Sequence, residues 1–490
     1  MGGFCGVVSK TDCVSDLFFG TDYHSHLGTH RGGMCVLGDK GFQRSIHNIQ
    51  NSPFRSKFER DVTTLSGRVG LGVISDTDPQ PLVMRSAHGT FAIVTVGLIT
   101  NIEELMTEMF EKNHLQLQYS TTSGMVGPTE VVSAIIASAP TLEEGVKLVQ
   151  RKIQGSCSLL LLTESGRLFA MRDRYGRTPI VIGRKDGAMI ALQESCALFN
   201  LGYEHVRDLG PGELAELSAE ADDAVTMIPP GKEMAICSFL WVYFGYPASS
   251  YEGRNVEMSR YRSGSFLALR NNVDADCVGG VPDSGISHAL GYAHEAGIKY
   301  ARPFVKYTPT WARSFTPQDQ KQRERIAEMK LIPIPGLING KRLVFCDDSI
   351  MRGTQLGQQA KRLYSYGAKE THMRIACPPL LYPCKFLNFS RSKSEYDLIT
   401  RRFIRGHEGE NADISKYLDP DGAPYKAMVD FVREKLNLTS LAFQRIDDLV
   451  AAIGLPKNKL CTYCWDGKDV SCGGGCAHCP CARPADKGEN

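Results

Sequence analysis

The spacing of hydrophobic and polar residues changes near residue 230, which predicts two differently built parts. In the first part, short runs with the two-residue period of strands are mixed with stretches of helical period. We predict strands over residues 69–74, 91–96, 157–162 and 168–171, and helices over residues 101–112, 129–137 and 141–153. Such a mixture is typical of stacked sheets with flanking helices.

From residue 232 to residue 455, apolar strands and helical stretches alternate more regularly, as a doubly wound α/β domain requires. Pro229, Pro230 and Gly231 break regular structure just before this region. The length of 490 residues also exceeds the ~250–300 that one core usually supports. We therefore predict domains over residues 1–230 and 231–460, and a cysteine-rich tail over residues 461–490.

The segment from residue 341 to residue 355 carries the clearest chemical pattern. Apolar residues 343–346 predict a buried parallel strand, and Asp347 and Asp348, a small-residue turn and a helix follow it. Backbone amides at such a turn hold phosphate, while two carboxylates hold sugar hydroxyls or Mg²⁺. A capped helix after a buried strand would explain the small residues, but it gives no reason for two adjacent acids.

Composition excludes several classes of protein. Hydrophobic residues at 42% and charged residues at 22% are ordinary for a soluble globular chain, and a net charge of +2 creates no field suited to nucleic acid or a membrane surface. No apolar run approaches the ~20 residues of a membrane span, and the first residues lack a secretory pattern. We expect a cytoplasmic protein, in which sixteen cysteines favour metal ligation over disulfides.

The segment at residues 341–355 resembles the phosphoribosyl pyrophosphate (PRPP) motif of type I phosphoribosyltransferases. Further segments resemble amidophosphoribosyltransferase (glutamine PRPP amidotransferase) of the iron–sulfur type, in matching chain order. They are residues 5–8, 172–179, 194–198, 207–213, 237–244 and 281–285. The resemblance implies an α+β amino-terminal-nucleophile hydrolase sandwich (αββα), followed by an α/β type I phosphoribosyltransferase domain.

The resemblance also implies a PRPP site with Mg²⁺. Its residues here are Asp283, Ser284, Asp347, Asp348, Ser349, Arg352, Gly353 and Thr354. Lys306 and Arg313 match a basic segment that closes over PRPP in the family and excludes water. Alone, this segment would be interpreted as a solvated basic loop. The expected chemistry is substitution at the anomeric carbon, with ammonia entering as pyrophosphate leaves.

The glutaminase half departs from the family. Cys5 matches the family's catalytic nucleophile, which acts only as an exposed first residue, so residues 1–4 would have to be removed. Gly97 matches one oxyanion-hole residue, but Val96 stands where the family has a donor side chain, and such a loss typically costs ~10²–10³ in rate. The substrate-binding segments near residues 74–77 and Pro128 also differ. We predict a retained fold with weak or no glutamine hydrolysis.

Cysteines near the carboxyl end predict a metal site. Cys461 and Cys464 have a ligand-like spacing, and Cys237 and Cys384 match the other ligands of the iron–sulfur members. Four such thiolates can hold a [4Fe–4S] cluster, which is the expected cofactor, with Zn²⁺ as the alternative. A second group could bind another metal or be a tail with reactive thiols, and it comprises Cys472, Cys476, Cys479 and Cys481.

Two functional hypotheses follow. The first is an enzyme that forms 5-phosphoribosylamine from PRPP with nitrogen from glutamine or ammonia, at the start of purine biosynthesis. The second is a glutaminase-dead regulator that binds PRPP or nucleotides and acts on a true amidotransferase. The resemblance further implies purine nucleotides as inhibitors and a homotetramer or homodimer. The net charge and the short apolar runs predict no nucleic-acid or membrane partner.

Overall fold

The computed structural model of the protein describes residues 2–113, 117, 119–120, 125–307, 331–387 and 394–470. The strands of its first part are β1 (Gly3–Ser9), β2 (Arg31–Gly38), β3 (Gly41–Asn48), β4 (Val69–Ser75), β5 (Leu82–Ser86), β6 (Gly89–Ile99), β7 (Tyr119–Ser120), β8 (Met125–Val126), β9 (Gly155–Thr163), β10 (Leu168–Met171), β11 (Val181–Lys185), β12 (Ala188–Leu192), β13 (Glu204–Asp208), β14 (Leu214–Leu217) and β15 (Val225–Ile228). The helices between them are α1 (Val14–Asp22), α2 (Phe54–Phe58), α3 (Ile102–Asn113), α4 (Pro128–Ala137), α5 (Leu142–Lys152) and α6 (Cys196–Leu201).

All of these strands except β7 and β8, which pair with each other, form two stacked antiparallel sheets. The first sheet has the order β13-β11-β12-β1-β4-β2-β3, and the second has the order β15-β14-β10-β9-β6-β5. One core lies between the sheets, where Phe4 and Leu71 of the first sheet belong to the same cluster as Val94 and Leu160 of the second. A second core packs α1 on the outer face of the first sheet, and a third packs α4 and α5 on the outer face of the second. The predicted αββα sandwich is confirmed.

The second part contains the strands β16 (Ile236–Cys237), β17 (Ser250–Tyr251), β18 (Arg254–Asn255), β19 (Cys277–Gly280), β20 (Phe304–Lys306), β21 (Leu331–Pro333), β22 (Arg342–Asp347), β23 (Glu370–Ile375), β24 (Ser440–Phe443) and β25 (Leu460–Cys461). Its helices are α7 (Val256–Asn271), α8 (Gly285–Ala296), α9 (Pro335–Ile338), α10 (Thr354–Ser365), α11 (Ile399–Glu408), α12 (Ala423–Lys435), α13 (Ile446–Ile453) and α14 (Tyr463–Asp466). A π-helical turn covers Leu240–Phe244.

A parallel sheet organises this second part. Its order is β19-β22-β23-β24, and every neighbouring pair is parallel. Apolar residues of α7 and α8 pack on one face, and those of α10 and α12 pack on the other. Both faces are therefore covered, as a doubly wound sheet requires, and the predicted α/β class is confirmed.

Two further features bear on the sequence predictions. The short strands β16 and β25 pair in parallel, with Cys237 opposite Cys461, so the end of the described chain is fixed beside the start of the second part. The predicted division at residue 230 falls between β15 and β16, and it stays a prediction. No helix among the described residues has the length and hydropathy needed to cross a membrane.

Candidate active site

Two acidic side chains and two serines meet at the carboxyl ends of adjacent parallel strands. β22 ends at Asp347, whose Oδ1 accepts the amide N–H of Asp348 at 2.9 Å. Asp348 accepts hydroxyl hydrogen bonds from Ser284 at 2.5 Å and from Ser349 at 2.6 Å. Ser284 belongs to the loop after β19, and β19 pairs with β22. The strand-end rule for α/β sheets therefore explains how residues about sixty positions apart form one pocket.

The two loops lie so close together that glycine is required between them. A Cβ on Gly285 would overlap the carbonyl oxygen of Cys346 in β22. The amide N–H of Val281 also donates to that carbonyl at 2.9 Å. This contact fixes the spacing between the loop at residues 281–284 and the acidic pair.

The acidic pair is costly to ionise without a ligand. Burial raises the pKa of Asp347 well above its usual range, and the neighbouring charge of Asp348 raises it further. Burial also raises the pKa of Asp348, although hydrogen bonds from Ser284 and Ser349 oppose that shift. A divalent cation or donating hydroxyl groups would relieve the cost, so the pair is suited to bind a positively charged or donor-rich group.

A cup of free amide groups follows the acids. Within the described part of the chain, none of the backbone N–H groups of residues 349–356 has a hydrogen-bond acceptor. Gly353 turns the chain into α10 with a φ of +76°, a conformation that favours glycine. Amides without acceptors in a turn that leads into a helix N-terminus are typical of phosphate-binding loops, so the loop can hold a phosphate.

The remaining predicted PRPP residues surround these loops. Lys306 forms an ion pair with Asp283, and both side chains are largely exposed. Arg352 pairs with Asp397 at 3.1 Å, and its carbonyl oxygen accepts from Arg402 at 2.9 Å. Thr354 begins α10. Arg313 and the lid predicted around it lie outside the described residues.

Sequence reasoning missed one buried arginine behind the acidic pair. Arg260 of α7 donates to the carbonyls of Trp241, Tyr243 and Gly245, each at 2.9 Å. Its charge lowers the pKa of Asp348, against the effect of burial. No local pattern marks Arg260, because its role depends on a tertiary contact between α7 and the end of β22.

The predicted glutaminase residues do not come together. Phe4 enters the core between the two sheets, so its strand neighbour Cys5 points to the opposite face, into the core beneath α1. A Cβ on Gly20 of α1 would lie 2.6 Å from the Cys5 sulfur. Burial raises the pKa of this thiol well above its usual value. Gly97 lies in β6 of the second sheet, so the first sheet separates it from the thiol.

The strand also incorporates the residues that would have to be removed before Cys5. Gly3 pairs with Ile74 and Phe4 pairs with Val73 in β4, and Phe4 has no exposed surface. Residues 3–4 are thus part of the folded sheet. Cys5 thus lies inside β1 in this chain, and its role as a nucleophile stays a prediction.

The four cysteines predicted as ligands line one cavity. Its wall includes Cys237, Cys384, Cys461 and Cys464 together with the aromatic residues Phe239, Phe386 and Trp465. A hydrogen bond from the Cys464 thiol lowers the pKa of Cys384. Among the described residues, no three His, Cys, Asp or Glu side chains converge closely enough to hold one metal ion.

The donor set of this cavity suits a thiolate-bound group larger than one ion. Arg177 lines the cavity with its side chain fully buried, and its Nε has no acceptor among the described residues. A buried cation with an unused donor is costly unless an anionic group is bound beside it. The residues therefore fit a negatively charged group bound by these thiolates. Because no three of the described donor side chains converge on one ion, an iron–sulfur cluster fits them better than a single Zn²⁺.

Comparison with known proteins agrees with this geometry. Residues 68–199 match the family described as "Glutamine amidotransferase domain". Curated amidophosphoribosyltransferases are similar over most of the chain. The protein from Methanothermobacter thermautotrophicus is 30% identical over 94% of each chain, and the chloroplastic protein of Vigna aconitifolia is 32% identical over 90% of this chain and 86% of its own.

Solved structures give the same result. A structure titled as the glutamine PRPP amidotransferase of B. subtilis complexed with ADP and GMP superposes with a TM-score of 0.80 at 26% identity, covering 95% of this chain and 96% of its own. Another, titled as the allosteric regulatory enzyme of purine biosynthesis, has a TM-score of 0.79 at 25% identity and covers 95% of each chain. The chain belongs to the amidophosphoribosyltransferase family.

Proposed function

We propose that the protein forms 5-phosphoribosylamine and pyrophosphate from PRPP, the first step of purine biosynthesis. The observation that carries the proposal is the acidic pair Asp347–Asp348, hydrogen-bonded to Ser284. The amides of residues 349–356, which have no acceptor among the described residues, follow it. The named activity of relatives that are about 30% identical over most of their length supports it.

The reaction needs positioning and charge stabilisation rather than a covalent enzyme intermediate. The ammonia lone pair attacks the anomeric carbon, the bond from that carbon to the pyrophosphate oxygen breaks with its electron pair, and the new ammonium group loses a proton. In our assignment, Asp347 and Asp348 hold the ribose hydroxyls and the amide cup holds the 5-phosphate. Lys306 and the loop at residues 281–284 hold the departing pyrophosphate. Mg²⁺, when bound, neutralises charge on that leaving group.

We further propose that ammonia, and not glutamine, is the effective nitrogen donor. Cys5 is sealed beneath α1, and its raised pKa keeps the thiol protonated at neutral pH. Val96, buried in the core between the two sheets, cannot donate a hydrogen bond to an oxyanion. The amino-terminal sandwich therefore serves as a structural part of the enzyme.

The cysteine cavity leads us to propose a [4Fe–4S] cluster as a structural cofactor. Cys237 and Cys461 are joined by the parallel pairing of β16 and β25, so a bound cluster would fix the end of the chain to the second part. Zn²⁺ remains the alternative cofactor for the assay below. The described cysteines are all free, which agrees with a reducing, cytoplasmic setting.

Purine nucleotides as inhibitors and a homotetramer or homodimer are further parts of the proposal. They rest on family membership and on the titles of the similar structures, one of which names ADP and GMP and the other allosteric regulation. No observation in the described residues favours the alternative of a non-catalytic regulator.

A steady-state assay with PRPP and Mg²⁺ tests the activity. We expect turnover with NH₄⁺ and little or none with glutamine, and we expect iron and acid-labile sulfide in protein purified without oxygen. Absence of turnover with both donors would refute the enzyme and leave the regulator as the explanation. Equal turnover with both donors would refute only the claim about nitrogen.

A further inference from the structure

Arg177 stands out among the buried charges that the transferase reaction does not use. It lies in the turn between β10 and β11 of the amino-terminal sandwich, and its side chain is about 1% exposed. Its Nη1 donates to the sulfur of Cys461 at 3.0 Å. A charged side chain of the first part thus reaches a cysteine at the far end of the chain.

The backbone around Arg177 fixes this approach. The amide N–H of Cys237 donates to the carbonyl oxygen of Arg177 at 3.0 Å, and the amide N–H of Arg177 donates to the buried carboxylate of Asp173 at 2.6 Å. The guanidinium carbon lies 3.3 Å from the ring centre of Phe386, another residue of the cavity wall. The guanidinium is therefore held by its backbone, by a ring face and by the sulfur.

Two further charges complete the arrangement. Asp469, which is buried, approaches Arg177 Nη2 at 3.5 Å and accepts from Lys385 at 2.7 Å. Asp469 follows Cys461 and Cys464 in the chain, so its ion pairs hold this part of the chain against the cavity. The three side chains carry a net positive charge beside four thiol groups.

We propose that Arg177 is a positioning residue for the metal group in the cysteine cavity. It would donate a charge-assisted hydrogen bond to the Cys461 thiolate and balance the negative charge of a thiolate-bound cluster. This inference rests on the [4Fe–4S] cofactor proposed above. An iron–sulfur group with four thiolate ligands is negatively charged, and hydrogen bonds to its sulfurs and nearby charges set its reduction potential and its stability.

The amino-terminal sandwich would also have a function in holding the cluster. Arg177 belongs to that sandwich, yet it contacts a ligand carried by the other end of the chain. The sandwich would therefore be needed for retention of the cluster even though it does not hydrolyse glutamine. Loss of the sandwich would expose the cavity and remove its buried cation.

The test is Arg177→Met in the full-length protein purified without oxygen. Removal of a group that hydrogen-bonds a metal ligand typically costs ~10–100-fold in metal affinity, so we expect iron release to a ferrous chelator to be faster by about that factor. A dithionite titration followed by electron paramagnetic resonance should give a more negative reduction potential, because a positive charge next to the cluster has been lost. A role in packing alone would not shift the potential.

Two variants provide controls. Arg174→Met removes an exposed arginine of the same turn, which stacks on Tyr175, and it should change neither quantity. Asp469→Asn removes a negative charge and should move the potential in the opposite direction while still accelerating iron release. This variant also decides the matter if Arg177→Met fails to fold.

The outcomes separate the two proposals. Wild-type protein without iron and sulfide would overturn the cofactor and this inference together. Wild-type protein with a cluster, but with iron release and potential unchanged in Arg177→Met and Asp469→Asn, would overturn the role of Arg177 alone. The shifts of opposite sign described above would support it.

Discussion

At the scale of single residues, the site holds two carboxylates whose ionised form is disfavoured by burial when no ligand is bound. Asp347 and Asp348 are adjacent and buried, and Ser284, Ser349 and Arg260 only partly offset the cost of their charges. Such an arrangement destabilises the folded protein, and a bound ligand offsets this destabilisation. Functional sites commonly have this property. Stability and activity should therefore change in opposite directions when one charge is removed.

Asp347→Asn tests whether stability and activity change in opposite directions. We expect kcat/KM for PRPP to fall by about 10²–10³, by analogy with loss of one preorganised polar group in an active site. At neutral pH, the apparent Tm should rise, by an amount equivalent to on the order of 1 kcal/mol. Thermal unfolding and steady-state kinetics on the same preparation check both effects.

The pH dependence of the Asp347→Asn stability gain has a definite sign. Because the folded-state pKa of Asp347 is raised, the wild-type folded state binds a proton more tightly than the unfolded state does, and its stability falls as pH rises through that window. The gain should therefore be largest above the raised pKa and vanish below the ordinary carboxyl pKa.

Asp276→Asn supplies the matched control for that gain. Hydrogen bonds from Arg342 lower the pKa of Asp276, so this variant should lose stability at neutral pH and keep its turnover. A gain in Asp347→Asn that did not depend on pH would contradict the electrostatic account.

The role of a residue was predictable from sequence when it depended on neighbours in the chain, and not when it depended on distant segments. The acidic pair and the turn after it were recognisable because strand, acids, turn and helix are contiguous in the chain. The roles of Arg260 and Arg177 were not, since each depends on contacts between distant segments. The role of Cys5 could not be decided from the sequence for a related reason. Its sequence context resembles a nucleophile, but only the pairing of β1 decides which side of the sheet the thiol faces.

At the scale of elements, the alternation of side chains along β1 decides which face of the amino-terminal sheet Cys5 occupies. In β1, Phe4 fills the core between the sheets and Cys5 fills the core under α1. A shift of one residue would exchange these faces, and both cores specify the register against it. The strand therefore protects its cysteine rather than presenting it.

Cys5 should be unreactive in the folded protein. We expect an electrophilic glutamine analogue to leave it unlabelled, because a buried thiol with a raised pKa is neither accessible nor ionised. Intact-mass spectrometry and peptide mapping of protein from its native host check this result, and they should also find residues 2–4 retained. Labelling of Cys5 as a new amino terminus would contradict the assignment of β1.

Phe4 should matter for stability as a core residue. Phe4→Ala should destabilise the protein by about 3–5 kcal/mol, as large-to-small changes in cores typically do. Phe199, which is 76% exposed, gives a matched control, and Phe199→Ala should stay within about 0.5 kcal/mol. Denaturant unfolding of the two variants checks the difference. Equal effects would mean that residues before Cys5 are dispensable, as a removable leader would be.

The strands and helices that periodicity predicted in the first part all correspond to elements of the structure. The predicted strand at residues 168–171 coincides with β10, and the predicted helix at residues 141–153 appears as α5 with Thr141 as its N-cap, accepting from the amide of Glu144 at 3.2 Å. Their packing order was not predictable from periodicity. The neighbours β1 and β12 are far apart in sequence, and only family resemblance anticipated the αββα layers.

At the scale of the whole molecule, buried polar contacts join the sandwich to the beginning of the second part. Glu194, buried after β12, accepts hydrogen bonds from the hydroxyls of Ser249 and Tyr251 and pairs with His26 at 3.1 Å. Arg172 adds an ion pair to Glu252 at 2.6 Å with its own side chain fully buried. These contacts, together with Arg177, indicate that the two parts stabilise each other.

Glu194→Gln tests this coupling. Burial by itself would raise the pKa of Glu194, but the His26 and Ser249 hydrogen bonds outweigh it and the pKa is lowered. The carboxylate therefore stabilises the folded state above the unfolded carboxyl pKa, and this contribution is lost as pH falls through the lowered folded pKa. We expect Glu194→Gln to cost about 1–3 kcal/mol at neutral pH and less in acid.

In calorimetry, the sandwich and the second part should unfold in more clearly separated transitions than in the wild type, because the shared network has been weakened. Glu216→Gln, which breaks a solvent-exposed pair with Arg167, should leave the calorimetric profile nearly unchanged. If both variants gave the wild-type profile at every pH, the junction at Glu194 would not couple the two parts.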